Sequence, residues 1–128
     1  MKVFVYGTLR KGEVNAHLLK NARCLEESCW TFGVLYDSGE GYPAMIPSTS
    51  NRTVGELYEV TVTLLNLLDE LEDYEEDGTN NLYNRVEQEI VTENGTTLAY
   101  VYISNNDGLL KNEIPSGDWK AYRLQHEK

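Results

Sequence analysis

Met1-Lys2-Val3-Phe4-Val5-Tyr6-Gly7-Thr8-Leu9-Arg10 opens the chain, and its reading organises the rest. A short apolar run of β-favouring residues enters a Gly-Thr turn. Such a turn frees backbone N–H groups at the end of a buried strand, where they can hold an anion such as a small carboxylate. Two readings stand at this point: a glycine that serves only the turn, or a turn that grips a ligand.

Working outward, residues 2–6 read as a strand and 13–22 as a short helix with Ala16, Leu18, Leu19 and Ala22 inward. From Cys29 to Tyr36 the chain alternates, with Trp30, Phe32, Val34 and Tyr36 on one face and Thr31, Gly33 and Leu35 on the other. Residues 38–43 form a turn, Ala44-Met45-Ile46 a short strand, and Val54–Val60 another. A helix follows from Thr63 to about Tyr74, capped by Thr61 or Thr63, and a polar loop, Asp77–Asn81, ends it. Strands Leu82–Thr92 and Leu98–Ser104 meet at Asn94-Gly95, a strong hairpin signal. The tail, 105–128, holds a closing turn or helix near Pro115-Ser116-Gly117-Asp118-Trp119. Many short strands with one or two helices give an α+β class, a small barrel-like sheet flanked by helices.

Composition narrows the function classes. At 128 residues and 41% hydrophobic, the chain is expected to form one domain, 1–128, with a real core. Its 21 acidic and 11 basic residues leave a net charge of −10, which repels nucleic acid and anionic membrane surfaces. No stretch approaches the ~20 apolar residues of a membrane span. Lys2 is followed by too short an apolar run for a secretory leader, so a cytoplasmic protein is expected. Cys24 and Cys29 match no zinc spacing, and His17 and His126 lie far from them in sequence. Neither a metal nor a disulfide is expected. Nine tyrosines against two phenylalanines tilt the aromatics toward rings with a polar handle, useful on a pocket wall and equally at home in strands.

The second informative stretch is the helix. Projected at ~100° per residue, Leu64, Leu67, Leu68 and Leu71 form the apolar stripe and Leu65 widens it. Asp69, Glu70 and Asp73 fall outside the stripe. Glu72 falls within it, between Leu68 and Leu65. A carboxylate near a core loses hydration and its pKa rises, which suits an acid that takes and returns a proton near neutrality. Glu72 can instead turn out to solvent or pair with Arg85. No histidine, serine or second inward acid offers a triad, and a lone carboxylate suits a substrate that carries its own nucleophile.

These stretches, taken together, resemble the γ-glutamylcyclotransferase-like family. The match runs through Val5-Tyr6-Gly7-Thr8-Leu9-Arg10, Leu68-Asp69-Glu70-Leu71-Glu72 and Tyr83-Asn84-Arg85. Gly33-Val34-Leu35-Tyr36, Tyr42-Pro43-Ala44, Gly55-Glu56-Leu57-Tyr58 and Gly117-Asp118-Trp119 extend it, in one colinear order over nearly the whole chain. The family includes γ-glutamylcyclotransferases, γ-glutamylamine cyclotransferases and a plant defence-induced AIG2-like branch. The resemblance implies a small mixed β-barrel with peripheral short helices and a cavity at one end. It implies that Tyr6, Gly7, Thr8 and Leu9 bind the α-carboxylate of a γ-glutamyl group. It makes Glu72 the catalytic base and Tyr102 a wall of the cavity, with Tyr83 similarly placed and ranked lower. Arg85 is read as structural, pairing with an acid near the helix.

The implied reaction is a γ-glutamyl cyclotransfer that releases 5-oxoproline and an amine or amino acid, with Glu72 as general acid and base and no cofactor. The expected partner is a small γ-glutamyl substrate, and oligomeric state stays open. A second reading is a binding or regulatory protein that keeps a γ-glutamyl or small-carboxylate pocket without turnover. A nucleic-acid or membrane module is disfavoured by charge. The acidic run Glu70, Glu72, Asp73, Glu75, Glu76, Asp77 either favours a cationic leaving group or is a solvated helix end.

Overall fold

The computed structural model describes residues 1–75, 78 and 81–126. Glu76 of the acidic run, and Asp77, Thr79 and Asn80 of the expected polar loop, therefore lie outside the described residues. Among the described residues, six strands and two α-helices follow in the order β1 (Lys2–Val5), β2 (Arg23–Asp37), β3 (Pro43–Glu59), α1 (Val62–Leu71), β4 (Tyr83–Thr92), β5 (Gly95–Ser104), β6 (Asn112–Glu113) and α2 (Trp119–His126). The sheet runs β3-β1-β5-β4-β2-β6, and β2 also pairs with β3, which closes five strands into a barrel with β6 appended. β1 is parallel to β5 and antiparallel to β3, so the barrel is mixed. Closure pairs the backbone edges that an open sheet leaves exposed.

Both faces of β1 are buried, because one looks into the barrel and the other toward α1. Phe4 joins Leu57, Leu35, Ile90 and Val101 in a cluster to which all five barrel strands contribute, the barrel's filling. Val3 and Val5 join Tyr58, Leu65, Leu68, Tyr83 and Tyr102 in a second cluster, against which α1 packs.

In β2 the buried set is Cys29, Thr31, Gly33 and Leu35, and the bulkier Phe32 stands 41% exposed. The reason is space. A Cβ on Gly33 would lie 2.5 Å from Met45 Sδ, so the barrel interior admits only small groups there. Trp30 and Phe32 pack edge to face outside, with the Arg52 guanidinium over the indole at 4.1 Å.

The two strands expected at 44–46 and 54–60 are one long strand, β3. Its middle is polar and reads as a break, yet Gly33 pairs with Pro47 and Phe32 with Arg52, so residues 48–51 bulge out of the β2–β3 ladder, which resumes on either side. The Ser48 hydroxyl caps that bulge by accepting from the Ser50 and Asn51 N–H groups. The helix expected over 13–22 shortens to one 3-10 turn, Ala16–Leu19, because the preceding segment is tied down by contacts from distant chain. Asn15 N–H donates to the Thr8 carbonyl at 2.8 Å, and Arg123 Nε grips Glu13 Oε1 at 2.8 Å. The Asn94-Gly95 hairpin joins β4 and β5 in register from Tyr83↔Ser104 to Thr92↔Gly95. The tail does form a helix, α2.

Candidate active site

The turn after β1 is built before any ligand arrives. Arg10 N–H donates to the Gly7 carbonyl at 3.1 Å, and Asn15 Nδ2 donates to Thr8 Oγ1 at 3.0 Å. Gly7 is required by its neighbour: a Cβ there would lie 2.7 Å from Pro43 Cγ. The N–H groups of Thr8 and Leu9 donate to no partner among the described residues. Behind the turn, Arg10 is buried with Nε 3.2 Å from Glu56 Oε2 and Nη1 2.9 Å from Asp118 Oδ1. Glu56 Oε1 also accepts from the Lys11 N–H at 3.0 Å and from the Tyr58 hydroxyl at 2.9 Å. A buried pair held this fully gives the turn a fixed position.

Glu72 is brought in by α1. Thr61 caps the helix, its hydroxyl accepting from Leu64 N–H at 3.1 Å. The buried face is centred on Leu65 and Leu68, while Leu67 and Leu71 of the expected stripe stand 54% and 41% exposed. The face is thus rotated by about one residue, and Leu65, Leu68, Asp69 and Glu72 share it at the i, i+3, i+4, i+7 spacing. Asp69, expected outside, is half-buried, and Glu72 lies on the face itself.

The helix also ends three residues early. Asp73 adopts φ 53°, its N–H donates to the Glu70 carbonyl, and Tyr74 N–H donates to the Asp69 carbonyl. That is a Schellman closure with aspartate in the position glycine usually takes. Glu72 is consequently the residue on which the helix ends. Burial pushes its carboxyl up to about 7. The negative end of the helix dipole acts in the same direction.

Three tyrosines complete the wall. Tyr6 donates its hydroxyl to the Tyr102 carbonyl at 2.5 Å, and Tyr83 donates to the Pro43 carbonyl at 2.7 Å. Tyr102 donates to Asp69 Oδ1 at 2.6 Å, and Arg85 Nη1 meets Asp69 Oδ2 at 2.5 Å. Arg85 therefore pairs with Asp69, and among the described residues no cation pairs with Glu72. The rings of Tyr74 and Tyr100 lie 5.2 and 4.8 Å from its guanidinium. Burial drives all three phenols well above the ordinary tyrosine pKa, and the Glu72 charge adds to it.

A cavity of about 360 Å³ gathers these parts. Tyr6, Gly7, Thr8, Leu9, Glu72, Tyr83 and Tyr102, the residues singled out in the sequence, all line it. Its size suits a small ligand. Glu40, Gly41, Tyr42 and Pro43 from the β2–β3 loop line it too, as do Val14 and Asn15. Sequence reasoning missed the part Asp69 plays behind Tyr102; its i−3 spacing from Glu72 is the signal that could have found it. Among the described residues, no group of three or more His, Cys, Asp or Glu is placed to hold a metal ion.

Glu72, its carboxyl pushed up to about 7 by burial, thus lines the same small cavity as the Gly7–Leu9 turn, and such a carboxyl can exchange a proton near neutrality. Comparison with known proteins identifies the family. The gamma-L-glutamyl-butirosin B gamma-glutamyl cyclotransferase of Niallia circulans is 43% identical over 126 residues, covering 97% of this chain and 78% of that protein. The crystal structure of YkqA from Bacillus subtilis superposes with a TM-score of 0.78 at 30% identity, over 97% of this chain and 41% of that one. An AIG2-like protein from Mus musculus superposes with a TM-score of 0.69 at 25% identity, over 81% of this chain and 76% of that one. The family model described as gamma-glutamyl cyclotransferase, AIG2-like, matches residues 3–121, and the chain belongs to that family.

Proposed function

We propose that this protein is a γ-glutamyl cyclotransferase that converts a γ-glutamyl amide into 5-oxoproline and a free amine or amino acid. The observation that carries the reading is the meeting, in one cavity, of the half-buried Glu72 carboxyl, raised to about 7, with the Gly7–Leu9 turn. The N–H groups of Thr8 and Leu9 hold the substrate's α-carboxylate. Glu72, ionised above its pKa, takes a proton from the α-ammonium. The freed amine attacks the γ-carbonyl, forming the C–N bond of the five-membered ring. Collapse of the tetrahedral intermediate breaks the bond to the leaving nitrogen, which Glu72 protonates. Over the cycle two protons pass from the attacking to the leaving nitrogen, which departs as an ammonium, and Glu72 ends as it began. Because the attack is intramolecular, the protein supplies no nucleophile and contributes mainly geometry and proton transfer.

The family membership supports the reaction class, and the Niallia circulans relative's name describes a γ-glutamyl cyclotransfer. The test is to incubate the protein with γ-glutamyl amines, γ-glutamyl dipeptides and glutathione, and to follow 5-oxoproline by mass spectrometry. Release from at least one class is expected. Tight binding across the panel with no cyclised product would replace catalysis by a binding role.

A further inference from the structure

A phenol has one proton, so a tyrosine that donates to the protein can only accept from a ligand. Two tyrosines on the cavity wall are in that state. Tyr83 spends its proton on the Pro43 carbonyl, and Tyr102 spends its own on Asp69. Neither partner can donate in return. A peptide carbonyl carries no proton, and each Asp69 oxygen is already engaged as an acceptor, one by the Tyr102 hydroxyl and the other by the Arg85 guanidinium. The donor and acceptor roles therefore follow from the chemistry of the partners. Tyr6 differs, because its hydroxyl donates to the Tyr102 carbonyl and the Met45 backbone N–H approaches its oxygen. That oxygen therefore sits beside a backbone N–H of the protein itself.

Tyr83, Tyr102 and Glu72 line one cavity, and the Glu72 charge reaches both phenols. No Lys, Arg or His stands among the described residues that line it. We infer that Tyr83, Tyr102 and Glu72 form an ammonium subsite, in which two phenol oxygens and one carboxyl receive the N–H donors of the substrate's α-ammonium. This rests on the γ-glutamyl reading and adds a polarity to it: carboxylate toward the Thr8 and Leu9 N–H groups, ammonium toward the acceptor wall. It also removes the two phenols from any role as donors to an oxyanion. Asp69 and Arg85 are positioning residues, since they keep the Tyr102 proton directed away from the ligand.

The probes are L-glutamate and glutarate, which differ by the α-ammonium, titrated calorimetrically at pH 8. The unmodified protein is expected to bind L-glutamate about tenfold or more tightly than glutarate, the scale of a charge-assisted hydrogen bond. Tyr83→Phe and Tyr102→Phe are expected to narrow that ratio while leaving glutarate affinity unchanged. Asp69→Asn gives an independent reading. Its amide oxygen can still face Arg85, and its amide NH₂ then donates to Tyr102, which turns the phenol's proton toward the cavity. The glutamate preference is expected to fall in that variant too, which loss of packing alone would not produce. Glutarate binding as tightly as L-glutamate in the unmodified protein overturns the subsite, as does equal weakening of both acids in the variants or no binding of either acid. The ratio on unmodified protein decides the matter even where a variant fails to fold. Failure to release 5-oxoproline from any γ-glutamyl compound would instead strike the reaction and leave this ratio untouched.

Discussion

Glu72 shows how a single side chain can be legible in sequence and still be misplaced in detail. Its inward projection follows from helical periodicity alone, and the structure gives it a buried-face position with a carboxyl at about 7. The neighbouring Asp69 was expected outside the apolar stripe. It shares the buried face only because the stripe is centred on Leu65 and Leu68, and its partners Arg85 and Tyr102 lie 16 and 33 residues away. A raised glutamate pKa also makes a stability statement. The folded protein holds this proton up to about pH 7, whereas the unfolded chain releases it near the ordinary glutamate value of 4.5. Between those values the folded state binds more protons, so the residue's contribution to stability falls as pH rises. Glu72→Gln, which carries no charge to desolvate, is expected to unfold at a higher temperature than the unmodified protein at pH 8. The gap, ~2 kcal/mol after discounting for partial exposure, should close toward pH 5. Thermal unfolding at the two pH values checks it, and a pH-independent gap contradicts it.

At the level of elements, local signals and long-range ties divide the work. The β4–β5 hairpin, the turn after β1 and the Thr61-capped helix were readable because their chemistry is local: Asn94-Gly95, Gly7-Thr8, a threonine cap. The continuity of β3 and the collapse of the 13–22 helix were not, because partners far along the chain decide them. The same holds for the turn's support, where Arg10 reaches Glu56 and Asp118 at separations of 46 and 108 residues. Glu56 is 4% exposed and Arg10 9%. Removing one partner of so buried a pair leaves the other charge uncompensated. Glu56→Gln is therefore expected to cost about 3–5 kcal/mol in urea unfolding. A change below about 1 kcal/mol would show that the surrounding hydrogen bonds, and not the ion pair, hold the turn.

On the scale of the whole molecule, barrel closure brings the parts together. β1 delivers the turn, β4 and β5 deliver Tyr83 and Tyr102, and α1 lays Glu72 against the second core cluster. The parallel β1–β5 pairing that sets this arrangement leaves no local mark in the sequence, whereas the colinear motifs of the family do. Fold and candidate site were thus legible chiefly through resemblance, and the hydrogen-bond polarity of the cavity only through the structure. The central claim is that this cavity cyclises a γ-glutamyl group with Glu72 carrying the proton. The most direct measurement compares the rate of 5-oxoproline release by the unmodified protein and by Glu72→Gln on the best γ-glutamyl substrate, with circular dichroism confirming that both are folded. The account predicts a loss of ~10²–10⁴-fold in the variant, the range for general acid–base catalysis. A folded Glu72→Gln protein that releases 5-oxoproline at the unmodified rate would contradict it.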